Sequence, residues 1–316
     1  MKKFMLPVIL LILSCISNAP HTNPYDPANP DAIGKIKGNV CTLFNSNPIE
    51  GATVELFPTQ RKDTTDGSGN FSFPDLNPDI YIVTANKDFY IEKSCTTEIK
   101  GGKEKELQFK LNGKPTIRNC FIYSELENRT YPNPDSTFKV IFTLQLFDPD
   151  PIPGDSVLAE SDKEKIILIY ESGDTLRLYK KVKYYNNIYS IDTLIGVDFH
   201  FWVRDVGGLY SDTITTNLKR TICKFSNILF PDSGETLSIG DTLKWVPPLL
   251  GFEHFTVLRF WQNSENPVWV SDTLPGEDST YIFTESSIEP GIFDWAVEIL
   301  DRFRNSSRTI TRLYLN

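Results

Sequence analysis

Two segments of the chain, 96 residues apart, share one pattern of apolar and polar residues. Residues 197–214 read VDFHFWVRDVGGLYSDTI, and residues 293–310 read FDWAVEILDRFRNSSRTI. In both, an alternating apolar row leads to an aspartate, Asp205 in the first copy and Asp301 in the second. Successive residues of a β-strand point to opposite faces, so each copy predicts a strand with one buried row. A repeat of this length is the size of one β-sandwich domain, so it favours a fold of tandem β domains.

The rest of the chain also favours an all-β fold. Short alternating runs bounded by Gly, Pro, Asn and Asp recur after the N-terminal apolar run, and none has a convincing helical period. The chain has 21 Phe, 13 Tyr and 5 Trp but only 2 Met, a composition typical of strands. We therefore predict three tandem β-sandwich domains, over residues 34–113, 114–220 and 221–316.

Residues 34–113 contain three motifs of a known family: P-I-x-G-A-x-V, T-D-x-x-G-x-F and L-x-P-x-x-Y. The matching residues are Pro48, Ile49, Gly51, Ala52, Val54, Thr65, Asp66, Gly69, Phe71, Leu76, Pro78 and Tyr81. The segment resembles the carboxypeptidase regulatory-like family, a prealbumin-type sandwich. The resemblance implies an accessory module without catalytic residues of its own. Asp79 stands where the family usually has glycine, which leaves open whether that turn differs.

The other two expected domains resemble known sandwiches as well. Residues 221–316 resemble a fibronectin type III domain, because LKWVPP places Trp245 before two prolines and EPGIFDWAVEILD supplies a long strand with an aromatic row. Phe293 stands where that family usually has the tyrosine of the tyrosine corner. Residues 114–220 resemble bacterial immunoglobulin-like domains through FTLQLFDPD and VRDVGGLYSD.

The N-terminus indicates export. Lys2 and Lys3 precede ten uncharged residues, 4–13, which are too few for a membrane span of about 20 residues but suit a secretory signal. The run ends in Ile-Leu-Ser-Cys, which resembles the lipobox of bacterial lipoproteins. The resemblance implies that Cys15 becomes the lipidated N-terminus, and Ile16 in place of aspartate favours the outer membrane. The alternative is an ordinary signal peptide with an incidental cysteine.

The signal peptide and lipidated cysteine would thus occupy residues 1–15. Residues 16–33 contain four prolines and few apolar residues, so we expect a disordered tether. Removing Lys2 and Lys3 from 32 basic residues leaves 30 against 41 acidic ones, a net charge of −11. Because basic residues are neither abundant nor clustered, we expect no nucleic-acid partner and a membrane contact only through the lipid.

No catalytic motif is present. The three histidines lie in separate predicted segments, and the chain lacks a nucleophile elbow, zinc-spaced ligands and a phosphate-binding loop. We therefore expect no enzymatic activity, no cofactor and no metal. Asp148, Asp150 and Asp155 could offer oxygen ligands to calcium, but their spacing lacks the closing glutamate of an EF-hand, which favours a plain loop.

Four cysteines follow Cys15. Cys41 and Cys95 fall in one predicted domain and could form a disulfide in an exported protein. Cys120 and Cys223 begin two different predicted domains, and we expect both to be small buried residues.

Tryptophans on outward faces are the candidate ligand-binding residues. If Phe201 points inward, Trp202 points outward on the same strand. Trp261 and Trp269 lie in HFTVLRFWQ and NPVWV, which are apolar on both faces. Exposed aromatic rings stack on sugars or anchor protein partners. The alternative is that neighbouring strands cover them, because tryptophan is usually largely buried.

These observations favour a non-enzymatic, membrane-anchored envelope lipoprotein that presents a binding surface for a glycan or a protein partner. Two alternatives stay open. One is a structural spacer, and the other is an accessory subunit of an envelope transport or secretion complex.

Overall fold

The computed structural model describes residues 22–23, 26, 29, 31–150, 156–161, 164–172, 176–262 and 266–316. These residues form two compact units, the first within Met1–Lys114 and the second within Pro115–Asn316. Almost all regular structure is β-strand, so the predicted all-β class is confirmed. Among the described residues α1, Ile188–Asp192, is a single turn, and no helix has the length and apolar character of a membrane span. Cys15 and Asp155 lie outside the described residues.

The first unit is a two-sheet sandwich. Its strands are β1 (Gly34–Thr42), β2 (Thr53–Phe57), β3 (Arg61–Thr64), β4 (Asn70–Leu76), β5 (Asp79–Asn86), β6 (Lys93–Ile99) and β7 (Glu104–Leu111). One sheet has the order β4-β1-β7 and the other β3-β2-β5-β6. Alternate residues of both sheets, including Val40, Leu56 and Phe109, fill one apolar core. Ala32 is buried and accepts a hydrogen bond from Gly102, so ordered structure extends into the segment expected to be a tether.

The family motifs of the first unit form turns. The buried Thr65 hydroxyl donates to the Ile49 carbonyl at 2.6 Å and accepts from the Ala52 amide at 2.8 Å. The Asp66 carboxylate accepts from the Ser68 amide at 2.9 Å and from the amide of the residue that begins β4 at 2.8 Å. These polar groups of the family motif therefore fix loops that join strands, as the family resemblance implies.

Two turns show why particular residues occupy the motif. Gly69 has a φ of 77°, and a Cβ there would lie 2.4 Å from the Val40 carbonyl oxygen, so a larger residue does not fit. Asp79 does not take the left-handed conformation, which occurs instead at Asp75 with a φ of 55°. The Asp79 carboxylate accepts from the Ile80 amide at 2.7 Å. The turn therefore has no need of the glycine that the family usually has at this position.

The second unit is larger. Its strands are β8 (Thr116–Arg129), β9 (Asp135–Phe147), β10 (Ser156–Glu160), β11 (Lys165–Ser172), β12 (Leu176–Tyr185), β13 (Asp198–Arg204), β14 (Ile214–Asn217), β15 (Asn227–Phe230), β16 (Thr236–Leu237), β17 (Thr242–Val246), β18 (Phe255–Trp261), β19 (Trp269–Val270), β20 (Leu274–Pro275), β21 (Thr280–Ile282), β22 (Gly291–Leu300) and β23 (Ser306–Leu315). One long sheet has the order β14-β13-β10-β11-β12-β9-β8-β23-β22-β18-β19, with β16 beside β23 and β20 beside β18. A small sheet has the order β15-β17-β21.

The second unit contains two apolar cores joined by one sheet. The first core ends at Leu218 and the second begins at Ile222, on either side of the domain boundary expected near residue 220. The long sheet nevertheless continues from one core to the other, because β8 pairs in parallel with β23 from Glu125 and Ser306 onward. The two expected sandwiches are therefore linked by backbone hydrogen bonds as well as by the chain.

The buried rows predicted from the repeat are present. Phe199, Phe201 and Val203 are fully buried in the first core, and Trp295 with its row neighbours is fully buried in the second. The Trp295 indole nitrogen donates to the carbonyl of Pro231 at 2.9 Å. Each copy of the repeat thus contributes a central strand to its own core.

The cysteines are all free among the described residues. Cys41 and Cys95 are therefore not joined by a disulfide in this structure. Cys120 packs against the first core of the second unit, where burial raises the pKa of its thiol to about 12. Cys223 is exposed, so the expectation that it is a buried residue is wrong.

Candidate binding surface

Trp202 lies on the outer face of β13. Its neighbours Phe201 and Val203 are fully buried, while Trp202 is half-buried on the opposite face, as the alternation predicts. Leu158 of β10 stands directly opposite Trp202 on one side and opposite Ile167 of β11 on the other. Neighbouring strands lie about 4.8 Å apart, so the three side chains form one apolar row across three strands. Ile167 is 64% exposed, whereas Trp202 and Leu158 are half-buried.

Polar residues border this row on the same face. His200, Glu160 and Lys165 form the next row across the three strands, and Lys165 pairs with Glu160 at 2.9 Å. On the other side, the Arg204 guanidinium lies 5.6 Å from the centroid of the exposed Tyr210 ring. We call Trp202, Leu158 and Ile167 with these five bordering residues the Trp202 platform. Its centre combines the Trp202 ring with two aliphatic side chains, and its border offers hydrogen-bonding groups and the Tyr210 ring.

Trp261 lies near the other end of the long sheet. It is half-buried on β18, and the Arg308 guanidinium lies 5.9 Å from its ring centroid. Asp294 is its neighbour on β22 and binds Arg129 and Arg312 at 2.8 and 2.9 Å. Trp261 therefore sits at the edge of a surface covered by ion pairs, away from the Trp202 platform.

Trp269 faces the second core of the second unit. Its ring centroid lies 4.8 Å from that of Phe260, 5.7 Å from Tyr281 and 5.5 Å from Phe283. The expectation of an outward position does not hold for Trp269. In the two-residue strand β19, Trp269 pairs directly with the buried Phe260 of β18, so both side chains point to the same face, toward the core. Phe260 and Trp261 point to opposite faces of β18, so the structure does not bring Trp261 and Trp269 together.

The aspartates considered for calcium are buried where they are described. Asp148 and Asp150 follow β9, and the Asp150 amide donates to the Asp148 carboxylate at 3.2 Å. Burial raises the pKa of Asp148, and the nearby Arg177 guanidinium partly offsets this effect. Among the described residues no group of three His, Cys, Asp or Glu side chains could hold a metal ion.

The first unit has a cleft that the sequence reading missed. It has a volume of about 300 Å³ on the outer face of the sheet that contains β2 and β5. Thr53, Glu55, Thr84 and Asn86 line it from the two strands, and the segment after β5 lines it from one side. The alternation in TVELF and IYIVTAN already indicates that these four residues face outward. The segment that closes the cleft gave no such signal.

The fold defines the class of this protein, which consists of repeated β-sandwiches with open sheet faces. Residues 35–112 match the family model of the carboxypeptidase regulatory-like domain, which confirms the resemblance of the first unit. No enzyme family was found. No curated protein matches the chain.

Three solved structures show distant likenesses. The major pilin subunit BcpA of Bacillus cereus is 11% identical with a TM-score of 0.30, over 86% of this chain and 91% of the pilin. The FN1–FN3 domains of chicken CNTN1 are 9% identical with a TM-score of 0.32, over 86% and 92%. A DUF3823 family protein from Parabacteroides merdae is 13% identical with a TM-score of 0.23, over 58% and 98%.

Proposed function

We propose that this chain is a non-catalytic, lipid-anchored protein of the bacterial cell envelope, in the outer membrane, that binds a glycan or a protein partner. The binding surface is the Trp202 platform. The observation that carries the proposal is the open apolar row of Trp202, Leu158 and Ile167 across three strands of a well-packed sandwich.

The anatomy of the platform supports binding. Protein interfaces concentrate their energy in a few aromatic anchors surrounded by a polar border, and sugars stack on aromatic rings. Trp202 is the aromatic anchor here, and Leu158 and Ile167 extend the apolar area. His200 is hydrogen-bonded to the Thr215 hydroxyl at 2.8 Å, so part of the border is held in place before a partner arrives.

The lipid anchor rests on the sequence. Several acyl chains on Cys15, at about 0.8 kcal/mol per buried methylene, would hold the protein far more firmly than one chain. Backbone hydrogen bonds link Asn23, Asp26, Asn29 and Ala32. Only residues 16–22 therefore remain to act as an extended tether, which at about 3.1 Å per residue would span roughly 20 Å. We expect Cys15→Ala to abolish palmitate labelling and membrane association. An unlabelled wild type in the same experiment would contradict the lipoprotein assignment.

Binding through the platform is tested with Trp202→Ala in the full chain. We expect loss of capture of envelope glycans or proteins, with a small change in the free energy of unfolding. Trp261→Ala is the matched control, because its ring borders ion pairs at a distant part of the sheet. Equal capture by Trp202→Ala and the wild type would contradict the platform.

The second candidate is an accessory subunit of an envelope complex. The observation in its favour is the continuous sheet that joins the two cores of the second unit, because it suits a stiff connecting element. Crosslinking in intact cells distinguishes this candidate. A single crosslinked partner that persists in Trp202→Ala would favour an accessory subunit over a platform that binds ligand.

A further inference from the structure

The floor of the cleft in the first unit consists of four polar side chains in two cross-strand pairs. Thr53 pairs with Asn86, and Glu55 pairs with Thr84. The residues that alternate with them along the two strands face the core and are fully buried: Val54, Leu56, Val83 and Ala85. The Cβ atoms of directly opposed residues lie about 4.5–5.5 Å apart. The hydroxyl, amide and carboxylate groups are therefore close enough to contact one small ligand together.

One wall of the cleft is the segment after β5. Lys87, Asp88 and Glu92 line the cleft from this segment. The Tyr90 amide donates to the Lys87 carbonyl at 3.0 Å, and the Ile91 amide donates to the carbonyl of a residue beyond β7 at 2.9 Å. The wall is therefore fixed by backbone hydrogen bonds in the absence of a ligand, which reduces the ordering cost of binding.

Gly51 keeps the opposite rim close to this wall. The Lys87 ammonium donates to the Gly51 carbonyl at 3.2 Å. Gly51 has a φ of 68°, and a Cβ there would lie 2.9 Å from the Lys87 nitrogen. The positive φ therefore favours glycine at this turn, and a side chain there would shift only the flexible end of Lys87.

Three carboxylates and one ammonium line the cleft, and with Lys62 beside it the local net charge is −1. Glu55 pairs with Lys62 at the edge of the sheet. The net negative charge disfavours an anion, and the polar lining offers little to an apolar ligand.

The lining offers both hydrogen-bond donors and acceptors. The three carboxylates accept, the Lys87 ammonium donates, and the Asn86 amide does both. The Thr84 hydroxyl is already in place through a 2.8 Å hydrogen bond to the Ser94 hydroxyl. We propose that this cleft is a second binding site, which takes one ring of a neutral sugar through its hydroxyl groups. The site is independent of the Trp202 platform, because it lies in the other unit.

Saturation-transfer NMR on the full chain in detergent tests the site, with D-glucose, D-galactose, D-mannose and N-acetyl-D-glucosamine as probes. Soluble starch and a soluble β-glucan are added to distinguish free sugars from rings within a polymer. We expect transfer to at least one probe, and affinity about tenfold weaker in Asn86→Ala and in Glu92→Gln, since each loses hydrogen bonds to the ring. Glu98→Gln is the matched control, a carboxylate on the same sheet outside this cleft, and should bind like the wild type.

Circular dichroism confirms that each variant is folded, and two variants with different chemistry guard against a local folding defect. Absence of transfer to every probe would overturn the proposal. Affinity unchanged from the wild type in both cleft variants would also overturn it, as would loss of sugar binding in Trp202→Ala alone. Sugar binding retained in Trp202→Ala but weakened in Asn86→Ala would support the cleft whatever the fate of the platform.

Discussion

The hairpins at Asp205 and Asp301 have the same turn in different surroundings. In each, the aspartate amide donates to the carbonyl of the residue four positions later, at 3.0 Å to Leu209 and 3.1 Å to Asn305. Each aspartate carboxylate accepts from the amide of that same residue, at 2.7 and 3.0 Å. The Asn305 side chain goes further, because its oxygen accepts from the Ser124 amide at 2.9 Å and its nitrogen donates to Asp301 at 3.0 Å. The second hairpin is thus attached to β8.

The outer faces of the two repeats differ in the same way. On β13 the outer face carries Trp202 and stays open. On β22 the outer face carries Asp294, which binds Arg129 of β8 and Arg312 of β23, while Arg308 of β23 binds Glu127 of β8 at 2.6 Å. The comparison teaches that strands with the same pattern can have different outer faces. The outer face is left open to solvent or linked by ion pairs to other strands, depending on which strand packs beside it.

The largest expected effect concerns the buried apolar row that the two repeats share. We expect Trp295→Ala to lower the free energy of unfolding by about 3–5 kcal/mol, because a fully buried aromatic side chain with a bonded indole nitrogen is lost. Denaturant unfolding of the full chain measures it. A cost below about 1 kcal/mol would mean that the row is not part of the core, and the comparison would lose its basis.

The next effect sharpens the difference between the turns. Asn305→Ala leaves the buried Ser124 amide and hydroxyl without an acceptor, so we expect a cost of about 2–3 kcal/mol. Leu209→Ala is the matched variant at the other turn, where residue 209 contributes only its backbone groups to the hairpin, and should cost less than about 1 kcal/mol. Similar losses of unfolding free energy at the two positions would show that the Asn305 side chain does not stabilise the attachment of its hairpin to β8.

A smaller effect separates the two faces of β13. We expect Trp202→Ala to cost about 1 kcal/mol or less, because its ring is half-buried. Phe201→Ala, one residue away and fully buried, should cost about 3–5 kcal/mol. Chemical denaturation of both variants makes the comparison. A large cost at both positions would identify Trp202 as core packing and remove the platform.

The smallest effect depends on pH. Burial alone would raise the pKa of Asp294, but hydrogen bonds from Arg312 and Arg129 hold that pKa below its ordinary value. The ordinary value of an unfolded aspartate is about 3.9, so the stabilisation is fully present above about pH 5 and is lost as the pH falls through the lower pKa of the folded state.

Because the pair is partly exposed, its contribution should not exceed about 1 kcal/mol. Unfolding measured from pH 6 to pH 3 should show a shallower acid loss in Asp294→Asn than in the wild type. An unchanged pH profile in that variant would mean that the ion pairs beside Trp261 do not stabilise the attachment to β8.

The sequence predicts local features of this fold well. The alternation around Phe201 and Trp295 identified the buried rows, because strand periodicity is a property of neighbouring residues. The family motif around Thr65 and Asp66 identified the first unit, because its turns need those residue types. The outward position of Trp202 follows from the same periodicity.

Long-range pairing could not be predicted in this way. Ser124 and Asn305 are 181 residues apart, and the pattern of β8 indicates a strand without naming its partner. Trp269 was misplaced because a two-residue strand has no periodicity of its own. The cleft was missed because its floor lies on the strands but its wall depends on how the chain after β5 folds back.

The parallel pairing of β8 and β23 has a mechanical consequence. If the chain before β8 is held at a membrane while a load acts at the end of β23, the two strands are pulled in opposite directions along their length. Their hydrogen bonds, from Glu125–Ser306 to Arg129–Ile310, are then loaded together in shear rather than opened one by one. Single-molecule pulling from these two ends should need more force in the wild type than in Asn305→Ala. Lower resistance in the wild type would contradict this. The pairing of β8 with β23 would then keep the two cores together when such a load acts at the end of β23.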